Sequence, residues 1–111
     1  MKDQFQIWTY DFPERGGPHP VVLFSHPDRC ARAAVVNILF CTSQRQSRPI
    51  KPTEVMLDRA DGLDWETFCD CSVLYAIPSA KLLQQRGYVS LQRRNAIRDK
   101  VRDIFRLAAR D

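Results

Sequence analysis

The sequence predicts a small, mainly β fold followed by one C-terminal helix. Three observations lead there. Five short stretches of β-type composition lie between residues 5 and 77. Turn-forming residues separate them, with no sustained helical periodicity in between. The one long amphipathic pattern begins only after Ser90. A chain of 111 residues fits a single domain, 1–111, and is long enough to build a core without disulfide or metal staples.

The elements follow in order. "FQIWTYDF" (5–12) is aromatic and β-branched and reads as a strand ending at Pro13. "PERGGPHP" (13–20) reads as a loop, because it combines two glycines with three prolines. "VVLFS" (21–25) is a short apolar strand, and "HPDRCARAA" (26–34) a second loop. "VVNILFCTS" (35–43) is nearly continuously apolar, as a buried strand should be. A polar connection with three basic residues leads to a strand at 53–58 and a turn around Gly62. In "WETFCDCSVLYAI" (65–77), alternation puts Phe68, Asp70 and Ser72 on one face and Cys69, Cys71 and Val73 on the other. Residues 78–87 read as a short helix with Ser79 as cap and Gly87 as stop, and 88–90 as an edge strand. Ser90 then caps a helix from 91 to about 109, with Ile97, Val101, Ile104, Phe105 and Ala108 on one face. Beside that face run Arg94, Arg98, Arg102 and Arg106, a solvated stripe or a surface for an anion.

Hydrophobic residues make up 44% and charged residues 27%, an ordinary globular composition. No apolar run approaches the ~20 residues of a membrane span, so no membrane partner is expected. The N-terminus lacks the apolar segment of a signal peptide, which predicts a cytoplasmic protein. Net charge is +4, all of it accounted for by residues 90–111, and favours an anionic partner.

Cys30, Cys41, Cys69 and Cys71 are irregularly spaced, and the Cys-x-Cys pair is tighter than a zinc knuckle. Buried thiols are expected, with no metal and no cofactor. There is no glycine-rich phosphate loop and no Gly-x-Ser-x-Gly elbow. Polar residues at strand ends remain: His19, His26, Thr42, Ser43, Arg45 and Asp70. His26 reads as a loop residue. His19, between Pro18 and Pro20, is either a site residue or part of a stiff turn. Asp70 in an apolar strand needs a partner or a function, since a buried carboxylate is costly unpaired; backbone, Tyr10 or Tyr75 would satisfy it structurally. Trp8 and Trp65 read as core or interface.

In this order the pieces resemble the MazF/PemK family of toxin ribonucleases. "IWTYDFPERGGPHPVVLFS" is similar to the family's opening strand, glycine-containing loop and "R-P-x-V-V-L-S". "VNILFCTSQ" resembles its third strand, "EVMLDRADGLDWETFCDC" its "E-V-x-L … G-L … C-D-Q" segment, and "RGYVSLQRRNAIRDKVRDIF" its closing strand and helix. The resemblance covers nearly the whole chain. It implies an SH3-like barrel of five to six short antiparallel strands with a C-terminal α-helix. It also implies a homodimer that binds single-stranded RNA, cleaves it without metal and is neutralised by an antitoxin. In that reaction the RNA 2′-hydroxyl attacks the adjacent phosphate, leaving a 2′,3′-cyclic phosphate and a 5′-hydroxyl.

The resemblance assigns roles by position. Thr42 matches the threonine ending the third strand, a phosphate donor. Asp70 matches the aspartate of "C-D-Q", a base. His19 stands where the family has the arginine of "R-P", which stabilises phosphate and donates a proton. Arginine is a permanent, forked cation, whereas histidine exchanges a proton near neutral pH. Phe68 stands where some members carry a second arginine. Arg15, Arg45 and Arg48 in nearby loops are the substitutes available for the missing charge, and with Ser43 the expected substrate contacts. The thinned cationic set leaves two alternatives: a barrel that binds RNA or protein without cutting, or a toxin directed at gyrase.

Overall fold

The computed structural model describes residues 1–43 and 48–107. β1 (Gln6–Phe12) and β2 (Gly17–Leu23) form a hairpin paired from Ile7–Val22 to Phe12–Gly17. The second strand therefore begins four residues before the predicted start, and His19 is a strand residue opposite Tyr10 rather than a loop residue. What permits this is the turn: Pro13–Arg15 make one 3-10 turn, and Gly16 and Gly17 take φ values of +82° and +117°. Two glycines thus reverse the chain within a few residues.

Residues 26–34 hold a short helix, α1 (Pro27–Arg32), where a loop was expected. His26 caps it by accepting from the Asp28 amide, Pro27 pre-sets the first turn, and Cys30 supplies a buried contact. β3 (Val35–Ser43) matches its prediction. β4 (Glu54–Leu57) and β5 (Thr67–Pro78) follow.

The predicted helix at 78–87 is absent. One 3-10 turn, Ser79–Lys81, leads into β6 (Gln85–Tyr88), which takes the place of the expected strand at 88–90. Pairing with β1 overrides the helix propensity of "KLLQQR": Leu83 N donates to Thr9 O, and Thr9 N to Gln84 O. Leu82 is then buried while Leu83 faces solvent. α2 (Leu91–Phe105) ends at Arg106, whose φ of +55° closes it; Ala108 lies outside the described residues.

All pairings are antiparallel, in the order β4-β5-β3-β2-β1-β6. The sheet curls into a half-barrel with two apolar faces. One holds Ile7, Val22, Leu39, Cys41, Leu57, Cys69 and Cys71, and α2 covers it with Ile97 and Val101. The other holds Phe12, Val21, Leu23, Ile38, Phe40 and Ile77, with Trp8, Tyr10 and Tyr75 at its margin. All four cysteines are free and buried. Trp65 is exposed. The arginine stripe is partly packed: Arg94 lies 4.4 Å over Tyr88, Arg98 4.8 Å over Phe5, and Arg102 pairs with Asp99. No helix of the described residues is long and apolar enough to cross a membrane.

The curl brings the turn after β4 against β6. A Cβ on Gly87 would lie inside the van der Waals envelope of the Asp61 carbonyl oxygen, and one on Gly62 would be 3.1 Å from Gly87 Cα. Asp61 ties this seam to α2. Its carboxylate accepts from Arg93 Nη1 (2.6 Å), Asp58 N (2.9 Å) and Ser90 N (2.8 Å), with its side chain wholly excluded from solvent. Arg93 also grips Asp58, and its hydrogen bond holds the Asp58 carboxyl below the usual carboxylate range.

Breaking this seam should unfold the protein more readily. Asp61→Ala leaves Arg93 without its buried partner and is expected to cost roughly 3 kcal/mol or more. Gly87→Ala should cost about 2 kcal/mol through backbone collision. Urea denaturation checks both; a Gly87→Ala variant within ~0.5 kcal/mol of wild type would contradict the close approach.

Candidate active site

Strand alternation assembles the polar residues on the face away from α2. On β3, Phe40 faces that way with Ile38, so Thr42 does too. Thr42 pairs with Phe68 of β5, and Phe68 with Met56 of β4. The β2–β3 register runs Val21–Phe40, Val22–Leu39, Leu23–Ile38. The ladder ends at Val21–Phe40, so His19 and Thr42 lie past its end, His19 packed against Phe40 and Thr42 on the Phe40 face of β3. His19, Thr42 and Phe68 thus share one face of three strands, with Phe68 opposite Thr42 and Asp70 two residues along β5, opposite Glu54.

β5 makes this possible by breaking step. Its pairing with β3 shifts between Leu39–Leu74 and Cys41–Cys69, inserting extra residues around Asp70–Val73. The predicted alternation holds through Ser72 and then inverts, so Tyr75 and Ile77 share a face with Phe68, Asp70 and Ser72. Without the bulge Tyr75 would point toward α2.

Each candidate has a defined environment. Half-buried Asp70 accepts at Oδ1 from the Ser72 hydroxyl (2.6 Å) and amide (2.9 Å). Ser72, rather than Tyr10 or Tyr75, is therefore its side-chain partner, and Oδ2 meets no donor among the described residues. The His19 ring packs 4.8 Å from Phe40 and 6.1 Å from Phe12. Its Nε2 lies 3.0 Å from the Arg15 carbonyl oxygen. A carbonyl only accepts, so Nε2 carries the proton and Nδ1 is the nitrogen left to exchange one. Arg15 stacks 4.4 Å over Phe40 and donates from Nη2 to the Tyr75 hydroxyl at 2.7 Å.

Two predicted substrate contacts are placed differently. Ser43 pairs with Thr67, on the opposite face from Thr42. Arg48 grips Glu54 through Nη1 and Nη2 (2.9 and 2.8 Å) and lies 4.6 Å over Phe68. Its charge is matched by a carboxylate whose side chain is only 5% exposed. That hydrogen bond, helped by the Lys51 amide, holds the Glu54 carboxyl below the usual range. Arg45 lies outside the described residues. Glu54 and Phe40 were not singled out from sequence; only the pairing of neighbouring strands brings them here. Among the described residues, no group of three or more His, Cys, Asp or Glu side chains could hold a metal ion.

The family model for PemK-like, MazF-like toxins of type II toxin–antitoxin systems matches residues 3–105. No curated protein sequence matches the chain. Among solved structures, an endoribonuclease in complex with its cognate antitoxin, from a Mycobacterial species, superposes with a TM-score of 0.83 at 19% identity, covering 99% of this chain and 100% of its own. The Mycobacterium tuberculosis toxin MazF-mt6 gives 0.77 at 20% identity, over 94% of this chain and 99% of its own. A MazE–MazF structure from Deinococcus radiodurans gives 0.75 at 16%, over 96% and 97%. At these identities the likeness shows the fold.

The Arg48–Glu54 pair carries a pH signature. Glu54 protonates at lower pH folded than unfolded, so its stabilisation is present at neutral pH and is lost as pH falls below about 4.3. Glu54→Gln should cost roughly 2 kcal/mol at pH 7 and show a shallower loss of thermal stability from pH 5 to 3. Parallel melting profiles for variant and wild type would contradict this.

Proposed function

Because the chain belongs to the PemK-like, MazF-like toxins of type II toxin–antitoxin systems, we propose that it is an endoribonuclease that cuts single-stranded RNA without a metal ion. The observation that carries this reading is the shared face of His19, Thr42 and Asp70, reached from three strands by register and alternation.

The reaction needs a base for the 2′-hydroxyl, an acid for the leaving oxygen and donors for the phosphate. Asp70 Oδ2 takes the 2′-proton, while Ser72 holds the other oxygen. The 2′-oxygen bonds to phosphorus as the bond from phosphorus to the 5′-oxygen breaks. His19 Nδ1 gives its proton to that 5′-oxygen, with the imidazole aimed by its Nε2 hydrogen bond to Arg15. Thr42 donates to a non-bridging phosphate oxygen. The products are a 2′,3′-cyclic phosphate and a 5′-hydroxyl, and solvent returns the proton from Asp70 to His19. The setting is the cytoplasm. The partners are a second copy of the chain and an antitoxin of the kind bound to the Mycobacterial endoribonuclease.

A second reading has its own observation. With His19 in an arginine position and Arg48 neutralised by Glu54, the barrel binds RNA without cutting it. Incubating the purified protein with mixed-sequence RNA in EDTA separates the two: cleavage supports the nuclease, and intact RNA beside an active relative favours the binder. If the roles are right, Asp70→Asn lowers kcat about 100-fold, and His19→Gln removes the alkaline limb of the kcat/KM–pH profile. An unchanged profile in His19→Gln would return His19 to a structural role.

A further inference from the structure

Arg15 is exposed on a surface turn, yet it is tied at three points. Its carbonyl accepts from His19, its guanidinium carbon lies 4.4 Å from the centre of the Phe40 ring, and its Nη2 donates to the Tyr75 hydroxyl. An exposed arginine ordinarily keeps its rotamer freedom, so such anchoring costs entropy. None of the three anchors is an acid. Arg48, Arg93 and Arg102 each meet a carboxylate, whereas Arg15 meets none among the described residues. Arg15 is therefore an anchored positive charge with no carboxylate partner among the described residues, on the Phe40 ring beside His19. Its remaining guanidinium N–H groups make no other hydrogen bond among the described residues, and a planar fork of that kind matches two oxygens of one phosphate.

We propose that Arg15 is the cation that binds the RNA phosphodiester in this site, and that Tyr75 is the positioning residue that holds it there. This rests on the nuclease reading above. It explains how the site works with histidine at position 19: the proton-exchanging and charge-bearing roles are divided between two side chains that both pack on the Phe40 ring. It also gives the β5 bulge a purpose, since the shift between Cys69 and Leu74 is what turns the Tyr75 hydroxyl toward Arg15. The turn glycines serve the same end, for Gly16 and Gly17 fold the 13–15 segment back so that Arg15 reaches Phe40.

The test uses the full chain and the variants Arg15→Ala, Arg15→Lys, Tyr75→Phe and Arg15→Ala/Tyr75→Phe, each checked by its thermal midpoint. On cleavable RNA, Arg15→Ala should lower kcat/KM about 100-fold. Arg15→Lys should recover little of it, because a point charge lacks the fork. Tyr75→Phe, which keeps the ring, should lower it about 5- to 10-fold. The double variant should match Arg15→Ala alone, as expected when Tyr75 acts only through Arg15. A general structural role for Tyr75 would instead give additive losses and a lower midpoint. If wild type cuts RNA and Arg15→Ala cuts equally well, this proposal falls and the nuclease reading stands. If wild type cuts nothing, the nuclease reading falls, and binding of a 2′-O-methyl oligoribonucleotide decides the rest. Arg15→Ala should then weaken binding and flatten its dependence on log salt by about 0.7. Unchanged binding or slope, or no binding by wild type, overturns the assignment.

Discussion

The buried carboxylate of Asp61 is the contact on which the rest of this architecture depends. A six-stranded sheet this small has two free edges, β4 and β6, and nothing in backbone pairing alone brings them together. Asp61 does so by accepting at once from the turn after β4, from the β6–α2 junction and from Arg93 of the helix. An ion pair of this kind is worth little beside a well-packed apolar substitute, but it is costly to break. Its value is in specifying one geometry. The glycine pair at 62 and 87 completes that geometry by letting two backbones meet where no Cβ fits.

Closing the seam fixes the direction in which the sheet curves, and with it the difference between the two faces. α2 fills one with Ile97 and Val101. The other builds its own buried cluster around Phe12, Val21, Leu23 and Ile38. His19, Thr42 and Asp70 lie on that side of β2, β3 and β5, whereas Ser43 faces the other way and His26 caps α1. Two local irregularities tune this face. The Gly16–Gly17 reversal lets β2 start early and puts His19 on a rigid strand beside Phe40. The β5 bulge inverts alternation so that Asp70 and Tyr75 serve the same face. Bulges beside active sites commonly re-aim a side chain in this way. On this face Asp70 is held through one oxygen by Ser72 and His19 through one nitrogen by the Arg15 carbonyl.

Much of this was legible in the sequence because the strongest signals are local. The near-continuous apolar run at 35–43 is β3 to the residue, and the spacing of Ile97 and Val101 gave the buried stripe of α2. The alternation around Asp70 correctly paired it with Phe68 and Ser72. What escaped depended on contacts distant in sequence. "KLLQQR" has the composition of a helix, and only the free edge of β1 makes it extended. His19 looked like a loop residue because prolines flank it, but a strand residue next to a tight turn tolerates them. The inversion at Val73 leaves no compositional mark, so Tyr75 could not be assigned to Arg15. Asp61 sits in an ordinary turn sequence, and its burial arises only when the sheet curls. The His26-Pro27-Asp28 cap was readable in principle, since proline at the first helical position followed by an acid marks a helix start.

The functional account rests on one chemical claim, that the face bearing His19, Thr42 and Asp70 directs an RNA strand's own 2′-hydroxyl against its neighbouring phosphate. The most direct measurement takes an RNA oligonucleotide cut by the protein, replaces the ribose on the 5′ side of the cut bond with deoxyribose, and follows both strands by mass spectrometry. The account predicts that the deoxy-substituted strand stays intact at that bond, while the parent yields a 2′,3′-cyclic phosphate and a 5′-hydroxyl. Scission of the substituted strand at the same bond, or products bearing a 5′-phosphate, would contradict it.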